Sequence, residues 1–283
     1  MKILSRNQQK DFARDGFLHV PGFYDVDELI TPIHSTLASM IEQVAKRHNL
    51  PEISGRSSTL QFDSGYRELI ATDRSFGAEV YDLAKQVPGL YRIVGDSRHA
   101  ELFRELRPES IPAVAHGGYG IRIDNPFEDT FRAEWHQEYP AQLRSPNGLV
   151  FWSPLVPVTA ELGPVQIAVG SHREGPLPVF QERSGKRQGA YALRLVNESE
   201  VVEKYEVIAP LLEPGDLLIM DFMLLHCSGR NSGTRARWSM QFRYFDLSNP
   251  IGRRNGWLGS FAEGVDFSKV HPELLVMNVE SNE

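Results

Sequence analysis

Cysteine is almost missing from this chain: Cys227 is the single one among 283 residues. No disulfide can form within the chain, which fits a reducing cytoplasm. No run approaches the roughly 20 apolar residues that a membrane helix needs. The opening MKILSRNQQKDFARDG has no long apolar region and no small-residue cleavage site, so it does not read as a signal peptide. Basic charge is not in excess: 30 Lys and Arg stand against 37 Asp and Glu, a formal net charge of −7. That balance argues against a nucleic-acid or membrane-surface partner. A GxGxxG dinucleotide fingerprint and a GxSxG nucleophile elbow are both absent, so dehydrogenase and serine-hydrolase readings have no support. Internal repeats and low-complexity linkers are absent too.

What is present is an ordinary soluble composition, with 41% hydrophobic and 24% charged residues, ample for a sizeable core. The pattern changes near residue 115. Before it, helical signals dominate. Asp25 with Glu28 reads as a capping box, and Leu29, Ile33, Leu37, Met40, Ile41 and Val44 then recur at helical spacing, with Pro32 near the start. Further helices are expected over about 76–85 and 97–106. The polar segment from Pro51 to Gly65 reads as a loop, one that could cover a site. After residue 115, short β-rich runs follow at 118–124, 148–158, 164–171, 190–196, 204–212, 216–226 and 236–247. Glu213-Pro214-Gly215-Asp216 carries the residues of a type II turn between two of them. The expected fold is mainly β with flanking α: a double-stranded β-helix (a cupin-like jelly roll) buttressed by N-terminal helices. One domain is expected over 1–283, with the helical buttress at about 1–115, the roll at about 116–250 and a tail at 251–283.

The chemistry concentrates in WHQEYP, residues 135–140. If this stretch is a strand, His136 and Glu138 point to one face. Taken alone, such a pair occurs often by chance. One more histidine would complete the two-histidine, one-carboxylate set of non-haem Fe(II) oxygenases, which leaves the opposite side of the ion open. His226 closes the run DLLIMDFMLLH and supplies it. Ser228 and Arg237 follow in HCSGRNSGTRARWSMQFRYF. An arginine returning on the neighbouring strand could hold the far carboxylate of an iron-chelating co-substrate, with the serine as an extra donor. Arg235 and Arg243 share the alternation and remain alternatives for that anchor. The other histidines have structural readings. His34 and His48 lie in or near the first long helix, His172 is expected to bond backbone, and His271 lies in the tail. Cys227 should point away from the ligands as buried filler.

Chained in order, these segments resemble the phytanoyl-CoA dioxygenase family of Fe(II)/2-oxoglutarate oxygenases. FARDGFLHVPGFYDVDEL (12–29) is similar to the family's opening helix, "DGF" and apolar strand. WHQEYP stands at its "HQD" metal motif, and TAELGPVQIAVGSH (159–172) at its "T…NGP…PGSH" segment, with Val169 in place of the usual proline. PGDLLIMDFMLLHCSGRNSG resembles its distal-histidine segment. The resemblance implies His136, Glu138 and His226 as catalytic iron ligands, and 2-oxoglutarate held by Arg237 with Ser228. It also implies O2 as oxidant and C–H hydroxylation with release of succinate and CO2, as in EC 1.14.11.- enzymes. The family's carboxylate is usually aspartate, whereas Glu138 adds one methylene. Its presence argues against a halogenase, which leaves that position without a carboxylate. Expected substrate contacts are Arg122 and Asp124, with Tyr119 beside them, then Gln137, Tyr139 and Trp152, around a small, polar metabolite. The competing reading is a non-redox Zn or Mn lyase, isomerase or hydrolase on the same His/Glu/His site.

Overall fold

The computed structural model describes residues 2–51, 61–181, 193–260 and 264–276. Ser5 and Gln8 form a capping box at the start of α1 (Arg6–Asp15), and Gly16 closes it. The chain passes straight into β1 (Phe17–Val20). Asp25 accepts a 2.8 Å hydrogen bond from the Glu28 amide, as the capping signal predicts. The turn it opens is a π-helical one, Val26–Ile30, which runs into α2 (Thr31–Arg47). Pro32 is the second residue of α2, directly after the π-helical turn. Ile33, Leu37, Ile41 and Val44 form the buried stripe.

The helices expected near 76–85 and 97–106 are α4 (Arg74–Ala84) and α6 (Ser97–Leu106), with α3 (Ser64–Thr72) and α5 (Pro88–Val94) beside them. The last two escape a periodicity reading because nine and seven residues hold only about two turns each. The loop expected over 51–65 is corrected at its end, where Ser64 and Gly65 belong to α3. Residues 52–60 of that loop lie outside the described residues.

The strands are β2 (Pro112–Asp124), β3 (Gly148–Pro154), β4 (Val165–Ala168), β5 (Val179–Gln181), β6 (Leu193–Leu195), β7 (Val207–Ile208), β8 (Leu217–Asp221), β9 (His226–Ser228) and β10 (Arg237–Asp246). They form a five-stranded sheet β1-β8-β3-β10-β2, a three-stranded sheet β7-β4-β9 and the pair β5-β6, with every strand pair antiparallel. The Pro-Gly turn before β8 forms as expected: the Asp216 amide bonds the Glu213 carbonyl at 3.0 Å, and Gly215 takes the left-handed φ of +102° that the turn requires.

Trp238, Met240, Phe242 and Tyr244 of β10, with Phe151 and Ile219, join the helical residues Leu37 and Ile41 in one apolar cluster. The helices therefore cover one face of the large sheet. Val150, Trp152 and Met220 on its other face pack with Val165 and Ile167 of the small sheet. This is the expected mainly-β roll with flanking helices.

Two expectations about strands change. The run 216–226 is not one strand. After β8 the Asp221 carboxylate accepts from the Met223 amide at 2.7 Å, and the Leu224 amide bonds the Asp221 carbonyl at 3.0 Å, so the chain turns before β9 begins at His226. WHQEYP is not a regular strand either. His136 makes an isolated bridge to His226, and Glu138 opens a four-residue helix, α7 (Glu138–Ala141). Among the described residues, no helix is long and apolar enough to cross a membrane.

Candidate active site

The two histidines meet through backbone pairing. The His136 amide bonds the His226 carbonyl at 3.0 Å and the His226 amide returns a bond at 3.1 Å. Such a hydrogen-bonded antiparallel pair sends both side chains to one side, and the ring centroids lie 4.3 Å apart. Each ring is fixed by its own backbone. His136 Nδ1 lies 2.7 Å from the Glu134 carbonyl, and His226 Nδ1 lies 2.9 Å from the Leu224 carbonyl. A carbonyl can only accept, so each Nδ1 carries the proton and each Nε2 keeps its lone pair. Burial and the neighbouring His136 push His226 down to about 3, and burial lowers His136 as well, so both rings are neutral.

Glu138 brings its carboxylate to the same place across an extended Gln137 (φ −100°, ψ 145°), and the chain then turns into α7. Donor atoms of His136, Glu138 and His226 lie within 4.8 Å of one another. Burial pushes the Glu138 carboxyl up, but Arg243 and His136 outweigh it and hold it below the ordinary value. Two neutral imidazoles with free Nε2 lone pairs and one ionised carboxylate are the forms a divalent cation requires. The residues present therefore fit an iron ion.

The three sequence candidates for a carboxylate anchor part ways. Arg235 pairs instead with the buried Asp63, 2.7 Å away at the start of α3. Arg243 forks onto Glu138 at 3.0 and 3.2 Å. Arg237 donates to Ser228 Oγ at 3.0 Å, to Asp124 Oδ2 at 2.7 Å and to the Gly163 carbonyl. Arg237 and Ser228 are thus together, both buried, and Ser228 lies on the same short strand as His226. Asp124 is shared, since Arg122 also holds it through Nε at 2.8 and 2.9 Å. Burial raises the Asp124 carboxyl, and the two arginines more than reverse this, setting it at about 2.

A cavity of about 140 Å³ opens over the His/Glu/His group. Arg122, Val150, Trp152, Met220, Gln241 and Arg243 form its wall on the large sheet. These are the side chains that strand alternation puts on the inner face, as the pairs Arg122↔Ser239, Gln241↔Trp152 and Arg243↔Val150 require. The far wall includes Ser228 and Val165 of the small sheet. Asp124 stands behind Arg122.

Gln137 and Tyr139 need correction as cavity contacts. Gln137 is buried and donates to the Gly175 and Met223 carbonyls at 2.8 and 2.7 Å, while its own oxygen accepts from the Leu177 amide. The Tyr139 hydroxyl lies 2.6 Å from His271 Nε2. Flanking the ligands in sequence, both side chains leave on the opposite side and brace the loop. Cys227 likewise turns away and meets Gln166 Oε1 at 3.2 Å, and burial pushes its thiol up to about 12. His172 bonds the Ala13 carbonyl at 3.3 Å.

Glu134 and Arg194 also line the cavity and pair at 2.5 Å, and neither stood out in sequence. Arg194 lies on β6, a three-residue strand too short to show a period. Gln241 was legible in principle, because it shares the alternation of Arg237 and Arg243.

Comparison with known proteins places the chain in a family. Residues 12–239 match the family model described as phytanoyl-CoA dioxygenase (PhyH). A 1-deoxypentalenic acid 11-beta-hydroxylase of Streptomyces arenae is 35% identical over 77 residues, a match spanning 27% of each chain. Among solved structures, EctD from S. alaskensis with bound Fe superposes with a TM-score of 0.55 at 17% identity, covering 87% of this chain and 78% of that one. The carbocyclase SnoK from nogalamycin biosynthesis, described as non-heme and alpha ketoglutarate dependent, gives 0.53 at 15% identity over 91% and 92%. At these identities the structural likeness speaks for the fold. The family match covers most of the sequence, and the chain belongs to the phytanoyl-CoA dioxygenase (PhyH) family of Fe(II)- and 2-oxoglutarate-dependent oxygenases.

Proposed function

We propose that the chain hydroxylates an unactivated C–H bond of a small molecule, using Fe(II), 2-oxoglutarate and O2 and releasing succinate and CO2. One observation carries this reading. Two imidazoles locked with free Nε2 atoms and an ionised, buried carboxylate converge on one point, beside a buried arginine–serine pair. His136, Glu138 and His226 hold the metal, which when bound supplies the oxidative chemistry. Arg237 and Ser228 receive the distal carboxylate of 2-oxoglutarate, so its length is measured between the anchor and the metal ligands. A non-redox zinc or manganese enzyme would have no use for that anchor.

The substrate occupies the remaining wall. Val150, Trp152 and Met220 offer apolar surface, while Arg122 and Gln241 offer donors beside it. That mixture suits an amphipathic small molecule better than a wholly polar one. The match to a hydroxylase named for 1-deoxypentalenic acid is compatible with such a substrate, though it spans little more than a quarter of that protein.

The test is turnover. Purified protein given Fe(II), ascorbate and 2-oxoglutarate should form succinate, and a matching substrate from a small-molecule library should raise the rate. His226→Ala should abolish it. Succinate that never rises above the His226→Ala background would remove the proposal's main support.

A further inference from the structure

Glu138 carries one more rotatable bond than the aspartate usual in this family. A longer side chain has more conformations to lose when it becomes a ligand. A buried carboxylate also needs a counter-charge. Both requirements meet in Arg243. Its Nε donates to Glu138 Oε1 at 3.0 Å and its Nη2 to Oε2 at 3.2 Å, a two-pronged grip on a carboxylate that is almost wholly buried. Arg243 is itself held, by Gln241 Oε1 at 3.2 Å and the Gly118 carbonyl at 3.4 Å. Its pairing with Val150 of β3 is regular, but the sheet is irregular on its other side. The β10–β2 register jumps from Phe242↔Tyr119 to Tyr244↔Val114, so Arg243 has no paired residue on β2. Such bulges redirect side chains beside active sites. On the other side, the Tyr139 amide bonds the Phe222 carbonyl at 3.1 Å and pins the start of α7.

We infer that Arg243 is the positioning residue that lets a glutamate serve as the carboxylate ligand: its fork takes up the freedom of the extra methylene and fixes the carboxylate plane toward the two histidine Nε2 atoms. A carboxylate has about four lone-pair sites and the fork uses two, so coordination capacity remains. Arg243 therefore acts through Glu138 and not as the co-substrate anchor. The inference rests on the metal-site reading above.

A positioning role and simple charge balance make different predictions. A cation near a dication repels it, so if charge alone mattered, removing Arg243 would leave metal binding equal or tighter. If positioning matters, removal loosens it. The measurement is Mn(II) affinity of metal-stripped protein by electron paramagnetic resonance, with the Co(II) ligand-field spectrum as a report on geometry. R243Q should weaken Mn(II) binding by about 10- to 100-fold, the usual effect of removing a group that orients a ligand. R243K keeps the charge without the fork and should recover only part of the loss. E138D shortens the ligand away from the fork, so adding R243Q to it should cost less than about twofold more, while independent sites would add in full. Wild-type affinity in R243Q, or the same cost in both backgrounds, would overturn the inference. If R243Q does not fold by thermal unfolding, R243K with and without E138D closes the same cycle. H226A is the separate control: unchanged metal binding there would sink the metal-site reading itself.

Discussion

The two faces of β10 do different work with alternate residues of one strand. Trp238, Met240, Phe242 and Tyr244 are buried against the helices, and Phe242 stacks on Phe151 with ring centroids 5.4 Å apart. Arg237, Ser239, Gln241 and Arg243 face into the roll, where the arginines hold Ser228, Asp124 and Glu138. The apolar face gains from removing surface from water, which needs no direction. The polar face is useful only if hydrogen-bond geometry is met, because a buried charge without a partner is costly. A rigid strand anchored on its outer side is what lets the inner side hold that geometry. The two faces should therefore fail in different ways.

The largest effect is expected on the outer face. Phe242→Ala should cost about 3–5 kcal/mol of stability by leaving a cavity. Denaturant unfolding measures that loss, and Mn(II) affinity per folded molecule should stay near wild type. A large fall in that affinity would show that the two faces are not separable.

Next comes the anchor. Arg237→Ala removes charge-assisted hydrogen bonds worth about 1.5–3 kcal/mol, so the 2-oxoglutarate concentration for half-maximal turnover should rise roughly 10- to 100-fold. An unchanged requirement would move the anchor away from the Arg237–Ser228 pair.

The smallest effect sharpens the comparison within the inner face. Asp124 already pairs with Arg237 at 2.7 Å and with Arg122 at 2.8 Å. A co-substrate carboxylate would compete with Asp124 for Arg237 while Arg122 retains it. Asp124→Asn should lower the 2-oxoglutarate requirement several-fold, by about 1 kcal/mol, the scale of one hydrogen bond. A raised requirement would mean that Asp124 aligns Arg237 instead.

Much of this was legible in the residues because it is local. The period of 3.6 in Ile33, Leu37, Ile41 and Val44 places a helix, and Pro214-Gly215 places a turn, without reference to the rest of the chain. The alternation of 237–243 assigns faces to β10. Legibility fails where local rules are broken by distant partners. HxE spacing suggests a strand, but Glu138 starts a helix, and the Tyr139 amide in its first turn bonds the Phe222 carbonyl. Gln137 and Tyr139 lie on the bracing side, where the alternation of even a regular strand would put them. Residues 216–226 looked like one apolar run because the turning Phe222–Leu225 stretch is itself buried.

By itself, then, the sequence determined which residue types could form a metal site and a carboxylate anchor, and that an alternating strand would carry Arg237 and Arg243 on one side. By spacing alone it left Arg235 and Arg243 as alternatives to Arg237. Only the tertiary structure gave each a different carboxylate or hydroxyl: Asp63, Ser228 with Asp124, and Glu138. Alternation fixes the face of a strand, but a guanidinium's partner lies on another strand or helix, more than a hundred residues away for Asp63, Asp124 and Glu138. That choice is made by sheet register, a bulge and the start of a short helix, none of which has a local period to read.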